Sequence, residues 1–404
     1  MTDETTTGAP SAPAENEGRR ANATTVWVLI TLGAIVMVLS TLNIWVERQL
    51  LDTDSWVETS TALLDDDEVR RELSVRLVDR LYDNVSVGTA IDENLPEQLQ
   101  GLGGPLAGLL RSPLVNTVDE LLQSPPVQTA WEEANRIVHT TVVAILEDDV
   151  GEAISTSGGA VVIDLRSVLV QVGEQIGLPE AALEAIPEDA GQFTIVESDT
   201  LEAAQGAVRA IKLLSVLLFL VVVILYGAAF YLASNWRREA ARSVGFAMAL
   251  GGFIVLVAVA LGVRFIAGLP DTEGGRAVAD SVGAIGTALL RQSAWSEILI
   301  GLLIALIASL VGPTRYARQV RYYSAKGFRR SAVAMWIGFA LLILAALAWA
   351  PFTAAENWLS VLFVLILVVV GVEAIRRTSL AEEATLDEDA REALAEEPTA
   401  VAAE

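Results

Sequence analysis

The side chain best suited to moving a proton near neutral pH is imidazole, and this chain carries a single histidine, His139. It ends the run Trp131-Glu132-Glu133-Ala134-Asn135-Arg136-Ile137-Val138-His139. On a helix, positions 131, 135 and 139 share one face, so Trp131, Asn135 and His139, with Arg136 beside them, form a candidate interaction groove. No serine or cysteine motif accompanies the histidine, and a lone imidazole does not make a zinc site. The residues therefore read as a polar network or a partner contact, with a pH-responsive role as the alternative. The expected catalytic residues, cofactors and metal ligands are none, and the chain reads as a non-enzyme.

Two acidic clusters, Asp65-Asp66-Asp67-Glu68 and Glu147-Asp148-Asp149, offer hard oxygen donors suited to calcium or magnesium. Neither has the alternating ligands and central glycine of a calcium loop. Each sits where a helix should start or stop, which makes capping the simpler expectation. The chain has no cysteine, so thiol and redox chemistry are excluded and no disulfide supports the fold.

These residues must be positioned by an architecture that hydropathy makes legible. About 20 mainly apolar residues are needed to cross a bilayer as helix. Six runs meet that need: Thr25 to Val46, Leu213 to Ala233, Val244 to Val263, Ala294 to Val311, Ala332 to Ala350 and Trp358 to Ala374. The fourth is the weakest, because Glu297 lies near its start. The first is too long for the apolar core of a signal peptide and has no small-residue cleavage site after it, so it is expected to be an uncleaved anchor.

Arginine and lysine set orientation. Arg19 and Arg20 precede the first run; Arg237, Arg238 and Arg242 follow the second; Arg315, Arg318, Arg321, Lys326, Arg329 and Arg330 follow the fourth; Arg376 and Arg377 follow the sixth. All four groups fall on one side, assigned to the cytoplasm together with both termini. The expected location is the inner (plasma) membrane, multi-pass, with the lipid bilayer as the first partner. Trp27, Trp45, Trp236, Trp295, Trp349 and Trp358 lie near span ends, where amphipathic rings favour the headgroups.

The resulting plan is a disordered cytoplasmic tail over 1–23, a first transmembrane helix over 24–47, an extracytoplasmic helical domain over 48–208, transmembrane helices two to six over 209–375 and an acidic cytoplasmic tail over 376–404. The fold class is an all-α membrane protein with six transmembrane helices. Its extracytoplasmic domain is mostly helical, with a small two-stranded sheet. Of the formal net charge of −24, most lies in the domain, where Arg48 to Val208 carry 30 acidic against 8 basic residues. Such a surface disfavours nucleic acid and anionic lipid and suits cations or a basic partner.

Within the domain, Ser55 and Asp65 or Asp66 are expected N-caps, and Val69, Leu73, Leu77 and Leu81 recur at a helical spacing. Pro96, Pro113 and Pro125 or Pro126 should then divide the following leucine-rich segments into short helices. Two β-branched stretches, Ala160 to Asp164 and Gln192 to Val196, each follow glycine and should pair as strands; the second is a candidate surface. A helix starting at Ser198, Asp199 or Thr200 should run on into the second span.

The spans place no ionisable residue at their centres: Arg264, Glu297 and Glu373 all fall near expected interfaces. That argues against a proton-driven pump. Small residues at helical spacing, Ala247 with Gly251, Ala258 with Gly262, and Gly301 with Ala305 and Ser309, permit close helix packing.

The stretches WEEANRIVH (131–139), VVIDLRSVL (161–169), GQFTIVESDTLEAAQGAVRAIK (191–212), GPTR (312–315) and VEAIRRTSL (372–380) together resemble an uncharacterised actinobacterial multi-pass integral membrane protein family with an extracytoplasmic domain between the first and second spans. The resemblance runs over most of Trp27 to Leu380. It implies topology, lineage and a cell-envelope location, and it transfers no activity and no site residues. The function expected is a non-enzymatic envelope protein that binds or organises another envelope component, or a second copy of itself, through its acidic domain. A channel or small-solute transporter is the rival reading.

Overall fold

The computed structural model describes residues 14–84, 87–96, 99, 101–147, 160–164, 192–234, 236–312, 315–331, 333–338, 365–366 and 369–379. Regular structure is overwhelmingly helical. In chain order the helices are α1 (Ala14–Leu51), α2 (Thr53–Asp65), α3 (Asp67–Asn84), α4 (Val87–Asn94), α5 (Gly103–Leu122) and α6 (Pro125–Leu146). They continue as α7 (Ser198–Leu232), α8 (Arg237–Ala267), α9 (Glu273–Gly286), α10 (Ala288–Leu310) and α11 (Arg315–Arg330). Between α6 and α7, Ala160–Asp164 and Gln192–Glu197 are short extended segments.

Four helices are long and apolar enough to cross a membrane: Asn22–Leu51 within α1, Leu201–Leu232 within α7, Arg237–Ala267 and Ala288–Leu310. They correspond to the first four apolar runs. The fifth and sixth runs lie largely outside the described residues. Each of α1, α7 and α8 exceeds 30 residues, well beyond the roughly 20 that hydrocarbon demands. The helix expected near Ser198 indeed starts there and continues without a break to Leu232.

The chain divides into two compact units. The first comprises Met1–Thr41, Leu217–Val257 and Leu289–Glu404, the second Leu42–Val216 and Ala258–Ala288. In the first unit the cores of the apolar helices meet through small residues. Val26 and Ile30 of α1 pack with Ala229 and Ala233 of α7 and with Ala240 of α8, all essentially inaccessible. Gly245 and Gly252 of α8 face α10: a methyl at Gly252 would sit 2.5 Å from the Ala294 carbonyl, and one at Gly301 would sit 2.5 Å from the Gly245 carbonyl. Of the expected small-residue pairs, Gly301 and Ala305 do serve this interface, but their counterpart is Gly245. Gly251 instead approaches Met37 of α1.

The second unit is a helical domain in which α2 packs on α6 and α3, α3 and α4 pack on α5, and α9 covers α2 and α3. Between α8 and α10, α9 is an amphipathic helix capped by Thr272, whose hydroxyl accepts from Gly275 N–H at 3.1 Å. The buried line of α3 is Arg70, Ser74 and Val78, one position on from the expected leucine stripe, and Leu77 and Leu81 are exposed. The cause is Arg70, which turns inward to reach α5 and the end of α2. Pro113 does not divide α5 either. The carbonyl it leaves unpaired, on Leu109, belongs to a residue 73 % exposed, where water can satisfy it, so the usual cost of an interior proline is softened.

Caps account for both ends of α2. Asp52 Oδ1 accepts from Ser55 N–H at 2.8 Å, and Asp66 Oδ1 accepts from Glu68 and Val69 N–H at 3.1 Å each to start α3. Asp52 therefore holds the role expected of Ser55.

Candidate functional site

His139, Asn135 and Trp131 do lie along one face of α6, and that face is covered by α2. The His139 ring stacks on Trp56 with centroids 5.1 Å apart and planes 18° from parallel. Its Nδ1 pairs with Thr53 Oγ1 at 3.1 Å. Asn135 accepts from Trp56 Nε1 at 3.3 Å and donates to the Trp131 carbonyl at 2.9 Å, while Trp131 Nε1 donates to the Ser60 carbonyl at 3.1 Å. Arg136 points outward and pairs with Asp54 of α2 at 2.6 Å. All four groove residues are thus brought together, and Thr53, Asp54, Trp56 and Ser60 of α2 meet them.

Burial holds the His139 imidazole below its ordinary range, against the opposing pull of the Leu50 carbonyl and the Asp52 charge. A neutral ring between an indole and a hydroxyl is a packing element. The acidic clusters are engaged too: Asp65 accepts from Gln128 at 2.8 Å, Asp66 caps α3, Asp67 pairs with Arg70, and Glu147 pairs with Lys212 at 2.5 Å. Among the described residues no group of three or more histidine, aspartate or glutamate side chains is placed to hold a metal ion.

Arg70 is the domain's buried charge. Its guanidinium donates to the Asp65 carbonyl at 2.9 Å, pairs with Asp67 and lies 3.3 Å from Asp119 of α5. Arg111 Nε of α5 donates to Asp79 at 3.0 Å, and Tyr82 donates to the Ala107 carbonyl at 2.8 Å. These bonds fix which face of α5 is buried, namely Gly103, Ala107 and Val115.

Leu102, which precedes α5, and Leu109, Leu110 and Leu121 on it are between 46 % and 73 % exposed; with Pro113, Thr117 and the exposed Glu120 they fall within about a third of the helix circumference at 100° per residue. Leu102, Leu110 and Leu121 belong to stripes that helical spacing marks for burial, and Leu109 lies outside those stripes, so this surface carries no signal of its own in the sequence.

In the first unit a second feature emerges. Thr41 of α1, buried, donates to Glu297 Oε1 of α10. Glu297 Oε2 and the Tyr226 hydroxyl of α7 are shut off from solvent and have no hydrogen-bond partner among the described residues. Glu297 lies against Gly252, where an added methyl would stand 3.2 Å from its Cβ. Gly252 is the midpoint of α8. α10 begins at Ala288, earlier than the apolar run, so Glu297 lies within that helix rather than at its start.

No family model matches the chain, and no curated protein or solved structure is similar to it.

Proposed function

We propose that the protein is a non-enzymatic integral membrane protein of a bacterial cell envelope, of the actinobacterial type its sequence resembles. In this reading six helices cross the plasma membrane, with Ala332 to Ala350 and Trp358 to Ala374 as the fifth and sixth. Both termini are cytoplasmic, and the acidic helical domain stands outside to bind or organise another envelope component. A two-stranded sheet belongs to that domain, supported by the antiparallel register of Ile163 opposite Phe193 and Asp164 opposite Gln192.

The observation that carries the reading is the open leucine face of α5. Its other side packs on α3 and α4, and exposed apolar side chains grouped along one helix mark a contact site. The surrounding domain is strongly acidic, so the partner of matching chemistry is a protein surface with an apolar strip flanked by basic residues. The groove residues Trp131, Asn135, Arg136 and His139 support this surface from within by holding α6 to α2.

The test uses Thr117→Cys, a single thiol on an otherwise cysteine-free chain, for in-cell crosslinking with mass spectrometric identification. The reading expects one reproducible envelope protein, or a second copy of the chain, whose capture is lost in Leu109→Asp and Leu121→Asp while the domain's thermal unfolding is unchanged. Absence of any crosslink from a folded, membrane-inserted protein overturns it.

The second reading, a channel or small-solute transporter, is favoured by the hydrogen bond of Thr41 to Glu297 between the apolar helices α1 and α10. Flux of ions or small solutes into proteoliposomes distinguishes it from a scaffold, which conducts nothing.

A further inference from the structure

Glu297 is the only charged residue between Arg291 and Arg315. Helices α1, α7 and α8 are equally bare around it: no charged residue occurs between Arg20 and Glu47, between Lys212 and Arg237, or between Arg242 and Arg264. Thr41, Tyr226, Gly252 and Glu297 all belong to one compact unit. Met37 of α1 and Gly251 of α8 meet there, as do Gly252 and Glu297. Met37 is at the middle of the first candidate span and Gly251 and Gly252 at the middle of the third, so the carboxyl meets these helices near their middles rather than at their ends.

A carboxylate among apolar helices, with one oxygen lacking a donor, is strongly disfavoured against the neutral acid. No lysine or arginine lies within five residues of Thr41, Tyr226, Gly252 or Glu297 in the sequence. Thr41 supplies one donor to Oε1, and Oε2 has no partner among the described residues. Gly252 leaves the space that the glutamate side chain fills; any larger residue would meet the Ala294 carbonyl and the Glu297 stem.

From this arrangement we infer that Glu297 is an intramembrane proton-binding site: the proton occupies Oε2 and Thr41 holds Oε1. One solvent-shielded carboxylate oxygen fits a proton, whereas an alkali cation needs a shell of several oxygens. The other titratable groups near these helices are otherwise placed. Arg291 lies six residues before Glu297 on α10, and Glu373, in the helical residues 369–379, is held by Arg376 and Arg377. The inference concerns the membrane helices and does not depend on the partner role of the external domain.

The experiment is treatment of the intact protein in lipid nanodiscs with dicyclohexylcarbodiimide, a hydrophobic reagent that reacts with protonated carboxyls, followed by peptide mass spectrometry. Adduct is expected at Glu297 in preference to the many exposed carboxylates. Its rate should fall as pH is raised and stay unchanged by sodium or potassium. Infrared difference spectra should show a protonated-acid carbonyl band that Glu297→Gln removes and Thr41→Val shifts. Failure of Glu297 to label in the folded wild-type protein, or labelling suppressed by sodium at constant pH, overturns the inference; the second result would assign the site to an alkali cation. Because the labelling reads the wild-type chain, the outcome stands even where Glu297→Gln fails to fold.

Discussion

The imidazole of His139 lies flat on the indole of Trp56, 5.1 Å between ring centres, and this stack joins the C-terminal half of α6 to the start of α2. It puts the chain's only histidine in a packing role, with Thr53 on its Nδ1.

That relationship sets a pH dependence for the domain. Burial depresses the His139 pKa, so in the window below the ordinary value of about 6.5 the unfolded chain binds more protons than the folded one. By linkage, stability rises with pH across that window. The contribution is full above about pH 6.5 and is lost as pH falls through the folded-state pKa. Thermal unfolding of the protein in detergent, followed by tryptophan fluorescence, should give a falling midpoint on acidification. His139→Gln should flatten that dependence, and Trp56→Phe should lower the midpoint while keeping its pH slope.

Arg70 is expected to be the most sensitive charged position in the domain. Arg70→Ala leaves Asp119 facing a cavity and frees the Asp65 carbonyl, and losing one member of a buried pair costs on the order of 3–5 kcal/mol. Asp119→Ala should cost less, because Arg70 keeps Asp67 and the Asp65 carbonyl. Urea unfolding of both variants and of the double variant measures the coupling; strict additivity would show that the two do not interact.

Helix packing in the first unit turns on Gly245 and Gly301, each of whose added methyl would strike the other's carbonyl. Gly245→Ala and Gly301→Ala should each destabilise the folded protein by roughly 1–3 kcal/mol. Gly262→Ala, where an added methyl meets nothing, should be neutral. The combined Gly245→Ala, Gly301→Ala protein should lose less than the sum, since the first substitution already forces the helices apart. Thermal unfolding midpoints in one detergent suffice to rank the four proteins.

Capping offers a finer test. Asp52→Ala removes the acceptor for Ser55 N–H and should cost about 1 kcal/mol, whereas Ser55→Ala should change little. Amide hydrogen exchange at the first turn of α2 is the direct measurement, and protection should fall only in the aspartate variant.

Much of the helical framework was legible because its signals are local. Apolar length alone marks the four candidate spans, and a proline at the first position of α6 announces that helix from its own residues. Helical spacing also places Trp131, Asn135 and His139 on one face, as the folded chain has them. Other assignments failed at particular residues. Leu77 and Leu81 read as core because period-four leucines usually are, yet Arg70 competes for the inward face of α3 with three partners drawn from α2, α3 and α5. Pro113 reads as a break, yet α5 passes through it because packing on α3 and α4 outweighs one missing hydrogen bond.

What the sequence by itself determined is the class of the protein: an acidic, cysteine-free chain with helices apolar enough to enter a membrane, since hydropathy and charge are sums over neighbouring residues. What only the tertiary structure decided is which side chains meet. Trp56 and Asn135 are joined across 79 positions and Thr41 and Glu297 across 256, separations at which no local pattern carries information. Burial of a carboxyl or exposure of a leucine face is a property of the packed neighbours, so the Glu297 site and the α5 surface became visible only once the helices were assembled.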